Sequence, residues 1–463
     1  MNSATAEALR AEEAPLATTF GGHPRGLRTL FFTEMWERFS YYGMRALLVL
    51  YLTAAVAQGG VAFPIERATS IYGWYTGLVY LSALPGGWLA DRFLGQRRSV
   101  LLGGCIIAAG HFSLAVPSVA FLYLGLALII VGVGFLKPNI STMVGGLYRE
   151  NDARRDGGFS IFYMGINIGA MIAPLVCGFL AQSTVFLGFL ERHGVDPRLG
   201  WHFGFAMAGF GMLFGVAQFA AGHRYFGANA DGPRERPAAQ QAKERAPLSR
   251  EDWMRMGAIA ILFLFSCVFW SSFEQAGSSL NLFADRVVDN RFFGHAFPSS
   301  WYQAVNSTFI ILLAPVFAWL WVRLGRREPS SPAKFALGLF WVGAGFLVVA
   351  AAAQVAQTTG QRVSPWWLVV LYFFHTIGEL CLSPVGLSTV TKLAPVRFAS
   401  FMMGVWFTSL AVGNRVGGWV AGHFDPHGSL PRLFLAVAAF AIGASILLAL
   451  LTRPIKKLMA GVH

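Results

Sequence analysis

The sequence predicts an all-α membrane protein with twelve transmembrane helices in two six-helix bundles. Three observations predict this class. Of 463 residues, 55% are hydrophobic and only 13% charged, whereas a soluble chain carries about a quarter charged residues. Residues 119–136, 335–353 and 433–451 are uncharged runs, each at or above the roughly 18 residues that identify a membrane-crossing helix. A polar stretch containing ADGPRERPAAQQAKERAPLSRED interrupts the apolar runs near their middle.

Residues 1–27 carry Glu7, Arg10, Glu12, Glu13 and Arg25 without an apolar core. They read as a cytoplasmic tail, not a cleavable signal peptide. Residues 28–222 form the first bundle, with spans expected at 28–57, 66–91, 98–116, 119–147, 158–181 and 200–222. Proline punctuation and mixed charge make 223–252 a cytoplasmic linker. The second bundle, 253–452, holds spans at 253–286, 300–325, 333–355, 365–392, 399–424 and 429–452, and 453–463 is a second cytoplasmic tail.

Basic residues set the orientation, because they are retained on the cytoplasmic side. One set of loops holds Arg92, Arg97 and Arg98, then Arg149, Arg154 and Arg155, then Arg323, Arg326, Arg327 and Lys334, then Lys392 and Arg397, and last Arg453, Lys456 and Lys457. The opposite loops are sparse in them. Both termini are therefore expected in the cytoplasm of a cell whose inner (plasma) membrane the chain crosses many times. The net charge of +13 follows from this asymmetry and from anionic membrane lipids as partners. It gives no reason to invoke nucleic acid. Cys105, Cys177, Cys267 and Cys381 stand singly in apolar runs, so no disulfide, metal or cofactor is expected.

A basic turn recurs. Arg92-Phe-Leu-Gly95-Gln-Arg97-Arg98 follows the second span and Arg323-Leu-Gly325-Arg326-Arg327 the eighth, which suggests duplication of a six-helix unit. Two ordinary basic loops are the alternative. Parallel six-helix halves with a site at their midplane interface are the architecture of major facilitator transporters.

Charges inside the spans are the strongest functional signal. An ionised side chain at mid-membrane costs about 2.5–3.5 kcal/mol even on the lenient insertion scale, so it needs a partner or a task. At 3.6 residues per turn, Glu34, Arg38, Tyr41, Tyr42 and Arg45 share one stripe of the first span, with Glu37 beside it. That stripe is expected to line a cavity. Lys137, Glu274, Glu379 and Arg415 interrupt later spans. With Arg38, Arg45 and Lys137 in one half and Glu274 and Glu379 in the other, charge pairing across the bundle interface is expected. Static structural ion pairs are the plainer alternative. Bases on one side, acids on the other, and the amides of Asn167 and Asn306 between them suit a zwitterion. Tyr41, Tyr42, Tyr80, Trp270 and Trp406 can wall such a site or serve ordinary packing. His111 and His375 are read as packed histidines, each with a hydrogen bond. Arg415 has no account at this level.

At these residues the chain resembles the proton-dependent oligopeptide transporter family of the major facilitator superfamily. The resemblance rests on Glu34-x-x-Glu37-Arg38-Phe39-x-Tyr41-Tyr42-Gly43, Gly87-Gly-x-x-Ala90-Asp91-Arg92-x-Leu94-Gly95, Phe135-x-Lys137-Pro138-Asn139, Phe162-Tyr163-x-x-Ile166-Asn167-x-Gly169, Phe273-Glu274-Gln275 and Gly378-Glu379-Leu380-x-x-Ser383-Pro384-x-Gly386. It implies proton-driven uptake of di- and tripeptides by alternating access, and no enzymatic activity. Glu379 would hold the peptide amino terminus, helped by Asn167 and Asn306. Arg38, Arg45 and Lys137 would surround the carboxylate, with Tyr41, Tyr42, Tyr80, Trp270 and Trp406 shaping pockets. Glu34, Glu37 and Glu274, with Arg38, would carry proton coupling. Arg45 with Glu274 and Lys137 with Glu379 would be the gating ion pairs. Mammalian relatives carry a histidine where this chain has Gly73, so carboxylates must carry the proton here. Many bacterial relatives have two extra helices between the halves, for which 222–252 is too polar.

A relative carrying nitrate, a drug or another metabolite is the nearest rival. A hydrolase would need a nucleophile or metal set, and neither HExxH nor GxSxG occurs. A channel would not need the charge array.

Overall fold

The computed structural model describes residues 18–19, 22–148, 152, 154–226, 248–292, 294–395, 398–426, 428 and 430–460. Most of the expected linker and the outer parts of both tails lie outside the described residues.

The first half comprises α1 (Arg25–Thr53), α2 (Ile65–Leu81), α3 (Ala83–Leu89), α4 (Gln96–Leu114), α5 (Val119–Gly146), α6 (Arg155–Gln182), a short α7 (Thr184–Arg192) and α8 (Gly200–Ala221). The second comprises α9 (Arg250–Phe273), α10 (Ser279–Arg286), α11 (Gln303–Leu324), α12 (Ser331–Thr359), α13 (Trp366–Leu393), α14 (Ala399–Ala421) and α15 (Leu430–Leu458). Two-residue strands make small antiparallel hairpins, β1 (Thr18–Thr19) with β2 (His23–Pro24) and β3 (Arg291–Phe292) with β4 (His295–Ala296). Eight of the described helical segments are long and apolar enough to cross a membrane, and the chain is a multi-pass membrane protein. The other long helices, α1, α2 with α3, α4 and α14, pack among them.

Within the first half α1 lies against α6 and α8, and α4 against α5. Within the second, α12 lies against α13 and α15, and α9 against α14. Between the halves, α2 meets α14 and α6 meets α11. Counting spans, these contacts join the second with the eleventh and the fifth with the eighth. A shift of six spans turns each contact into the other, as a duplicated unit related by a pseudo-twofold requires. Glycine packing repeats in the same way. A Cβ on Gly103 would lie 2.6 Å from the carbonyl oxygen of Gly132, joining spans three and four, and one on Gly338 would lie 2.9 Å from that of Gly378, joining spans nine and ten. Where lipid supplies no hydrophobic drive between helices, such close backbone approach is what holds them together.

Gly169 sets the α1–α6 contact, and its added Cβ would collide with the Met35 carbonyl oxygen. Backbone cannot yield there. Gly169→Ala is therefore expected to destabilise the fold by about 1–3 kcal/mol, read as a lowered thermal midpoint in detergent. Gly257→Ala, which meets nothing within 4 Å, should leave that midpoint unchanged.

The structure departs from the sequence reading at helix ends. The second span breaks at Ser82, and the seventh is interrupted by a tight turn at Glu274–Gly277 before Ser278, whose φ/ψ is −128°/−95°. The last helix runs on to Leu458, beyond the 452 at which apolar counting stops, because Ile455 and Met459 are buried and Lys456 and Lys457 favour a helix C-terminus. The short α7 is not among the spans expected from apolar run length. Its one-sided apolar face, with Leu190 buried and Arg192 in the last turn, is its signature.

Candidate functional site

Helix α1 delivers its stripe to the interior. Glu34, Glu37, Arg38, Tyr41 and Arg45 are all buried, Glu37 completely, and Tyr42 is partly buried against the core. Arg38 grips Glu37 with two parallel bonds, Nε to Oε2 and Nη2 to Oε1, the latter 2.5 Å. This fork is the strongest arrangement a guanidinium and a carboxylate can make. Glu34 Oε1 lies 3.4 Å from Arg38 Nε, and Glu34 Oε2 has no partner among the described residues. Arg38 also stands 5.1 Å from the Tyr41 ring centre. One turn of backbone thus assembles two acids on one base.

Two turns further along, Arg45 reaches across the bundle interface. Its Nη2 lies 2.5 Å from Glu274 Oε2, and its Nε donates to the Tyr72 hydroxyl at 2.6 Å. Tyr42 and Tyr72 present their rings to the guanidinium at 5.4 and 6.0 Å. The interruption after α9 aims Glu274 at this partner, since the acid begins the tight turn instead of continuing the helix. Tyr72 is absent from the residues that sequence reasoning singles out. Stepping back from Tyr80 at i−4 intervals, through Thr76 to Tyr72, would have found it on the same face.

On the second-bundle side, Glu379 Oε2 accepts from Asn306 Nδ2 at 3.1 Å, and the same amide donates to the Thr376 hydroxyl at 3.0 Å. Asn167 is buried and donates to its own helix at the Tyr163 carbonyl, 3.0 Å away. Tyr163 keeps part of its surface accessible and lies within electrostatic reach of Glu379. Lys137 Nζ sits 4.6 Å from the Tyr80 ring centre, within reach of the fields of Arg38, Glu37, Glu34 and Glu274.

The expected pair of Lys137 with Glu379 is not formed. Lys137 is taken up by the Tyr80 face and the α1 carboxylates, and Glu379 by Asn306. Polar bonds between the bundles lie instead at the opposite end, at Arg45–Glu274 and at Asn281 Nδ2 to the Ala46 carbonyl, 2.8 Å. The count of basic residues assigns that end to the outside.

Trp270 and Trp406 are almost fully buried, at 8% and 4% exposure. Trp270 meets Phe269 and Phe273, and Trp406 lies on Phe335 and under Gly386. Tyr42, Tyr80 and Tyr163 are the more accessible rings. Arg415 is half-buried and lies 4.9 Å from the Trp74 ring centre, on the α2–α14 contact and away from the charge array. The hydrogen bond expected at His111 is absent. Neither ring nitrogen has a partner among the described residues, and the side chain is completely enclosed. His375, ringed by Phe273, Phe346 and Tyr372, likewise makes none of proper geometry. A separate groove of about 620 Å³ runs between α2 and α5 beside Trp74 and Leu78. It lies outside the charge array.

Among the described residues the array sets three bases, Arg38, Arg45 and Lys137, against four carboxylates, Glu34, Glu37, Glu274 and Glu379. Fully ionised, it carries one excess negative charge in a poorly solvated interior. One proton neutralises it, and a zwitterion leaves the balance unchanged. Buried charge of this kind drives either pairing or proton uptake.

The fold has close counterparts. A family model described as the POT family matches residues 97–244 and 239–430. The peptide transporter YePEPT of Yersinia enterocolitica subsp. palearctica is 40% identical over 510 residues, covering 96% of this chain and 97% of that protein. A di-/tripeptide transporter of Lactococcus lactis subsp. cremoris is 36% identical over 505 residues, covering 96% and 98%. The crystal structure of a peptide transporter POT in complex with sulfate superposes with a TM-score of 0.88 at 37% identity, over 98% of this chain and 99% of that one. With both bundles and nearly the whole length shared, the chain belongs to the POT family.

Proposed function

We propose that this protein is a proton-coupled symporter that imports di- and tripeptides by alternating access, from an inner membrane position with both termini cytoplasmic. The carrying observation is the array itself: bases on α1 and α5 opposite Glu379 with Asn306, and Arg45 already engaged by Glu274. Relatives named as di-/tripeptide transporters support a peptide as the cargo. A POT family transporter solved with 5-aminolevulinic acid, 31% identical to this chain, supports the chemistry, since that ligand carries an amine at one end and a carboxylate at the other.

Glu379, with Asn306 and Asn167, takes the peptide amino terminus. Arg38, Arg45 and Lys137 take the carboxylate, and Tyr41, Tyr42, Tyr80, Trp270 and Trp406 shape the side-chain pockets. Protonation of Glu274 removes half the attraction to Arg45 and frees the guanidinium for the cargo. Glu34 and Glu37 share Arg38, so they titrate as a set and not singly. The Lys137–Glu379 pair closes the inner side when the outer side is open. Rocking of one bundle against the other then moves the site between the two faces of the membrane.

Uptake into liposomes tests the reading. With an inward proton gradient, dialanine should accumulate, and other di- and tripeptides should compete for a labelled peptide. Failure of dialanine to displace the label would favour a different solute.

A further inference from the structure

We propose that a second, charge-neutral latch at the outer end, formed by Gln182, Trp301 and Asn281, keeps that entrance shut while Glu274 is protonated. It rests on the alternating-access reading above. The difficulty it answers is physical. Once Glu274 takes a proton and Arg45 turns to the cargo, their pair no longer holds the bundles together, yet the outer end must stay closed while the inner end opens. Closure at that moment needs bonds that no proton breaks.

Such bonds are present. Gln182, the last residue of α6, donates from Nε2 to the Ser299 hydroxyl at 3.1 Å and accepts at Oε1 from the Ser300 backbone N–H at 3.2 Å. Ser299 donates in turn to Asp285 Oδ1 at 2.8 Å, which fixes its oxygen as the acceptor for Gln182. Trp301 Nε1 donates to the Leu175 carbonyl at 3.1 Å, and Asn281 Nδ2 to the Ala46 carbonyl at 2.8 Å. Every one of these contacts between the halves joins an amide, hydroxyl, indole or backbone group. Backbones close up around them: a Cβ on Gly178 would collide with Ser300 Oγ, and one on Gly277 with the Tyr72 hydroxyl.

The latch is also releasable. Asn281 Oδ1 is buried without a partner among the described residues, so closure carries an unmet polar group that opening to water would satisfy. Among the described residues the titratable groups facing the seam are Asp285, through Ser299, and Arg45, Glu274 and Tyr72 beside Gly277, with Tyr302 in the turn before α11 and Asp289 and Tyr372 near it. None of them supplies a bond that crosses the interface at Gln182, Trp301 or Asn281.

The test is a distance measurement by electron spin resonance between labels at Val185→Cys and His295→Cys, on exposed sites of opposite halves. Cys105 and Cys267 are changed to serine, and Cys177 and Cys381 are buried. The protein is held in lipid nanodiscs without peptide. Trp301→Phe, which keeps an aromatic ring and loses the N–H, should raise the open-to-closed ratio about fivefold, the effect of one neutral hydrogen bond, and Gln182→Ala, which removes two, about 25-fold, each by the same factor at pH 7.5 and pH 5. A ratio unchanged at both pH values overturns the latch. So does a rise confined to pH 7.5, which would locate the effect in the Arg45–Glu274 pair. The variants also separate the two readings. An unchanged ratio in protein that still accumulates dialanine defeats the latch alone, whereas a shifted ratio together with no dialanine uptake by the unmutated protein defeats the transport reading.

Discussion

Glu379→Gln is expected to raise the KM for dialanine about 10- to 100-fold in driven uptake. The carboxylate is oriented by Asn306 and would meet an ammonium in a charge-assisted hydrogen bond. Such bonds contribute about 1.5–3 kcal/mol, and about 1.4 kcal/mol is a tenfold change in affinity. The variant keeps the shape and an acceptor oxygen but loses the charge. A dipeptide acetylated at its amino terminus should bind wild type and variant alike, because it brings no ammonium. Equal losses for both peptides would place the damage in packing instead of recognition.

Glu274→Gln has the other large expected effect. One proton moving through about 100 mV yields roughly 2.3 kcal/mol, enough for about 50-fold accumulation. The variant should bring accumulation down to equilibration, about onefold, while exchange of labelled for unlabelled peptide continues. The amide introduced there would still offer an oxygen to Arg45, so the site stays assembled without its titrating group. Glu37→Gln is expected to do the same in part, since Arg38 holds Glu37 through two parallel bonds from one guanidinium edge and a neutral amide would loosen that fork. Undiminished accumulation in both variants would remove the carboxylates from proton coupling.

The bundle architecture was readable from sequence because lipid imposes a simple rule. A segment either meets the length and polarity of the hydrocarbon or it does not, so apolar runs and basic loops located most of the helices. The α1 stripe was equally legible, since intramembrane Glu34, Glu37, Arg38 and Arg45 admit few explanations apart from a lined interior. What the sequence left open depends on the third dimension and on conformation. Tyr72 looks like one aromatic among many until Arg45 is seen reaching its hydroxyl. The family resemblance implies a Lys137–Glu379 pair, but the structure separates the two, and charge pattern alone does not say which base meets which acid. The broken seventh span was hidden because Glu274–Gly277 interrupts the helix without a proline to mark the place.

The excess carboxylate in the array makes proton movement with the cargo the central claim. Liposomes containing purified protein and an internal pH-sensitive dye, with equal pH on both sides and the membrane potential clamped, test it directly. Addition of external dialanine should acidify the interior in proportion to the peptide that enters. Peptide entry at the same rate with no acidification would contradict the account.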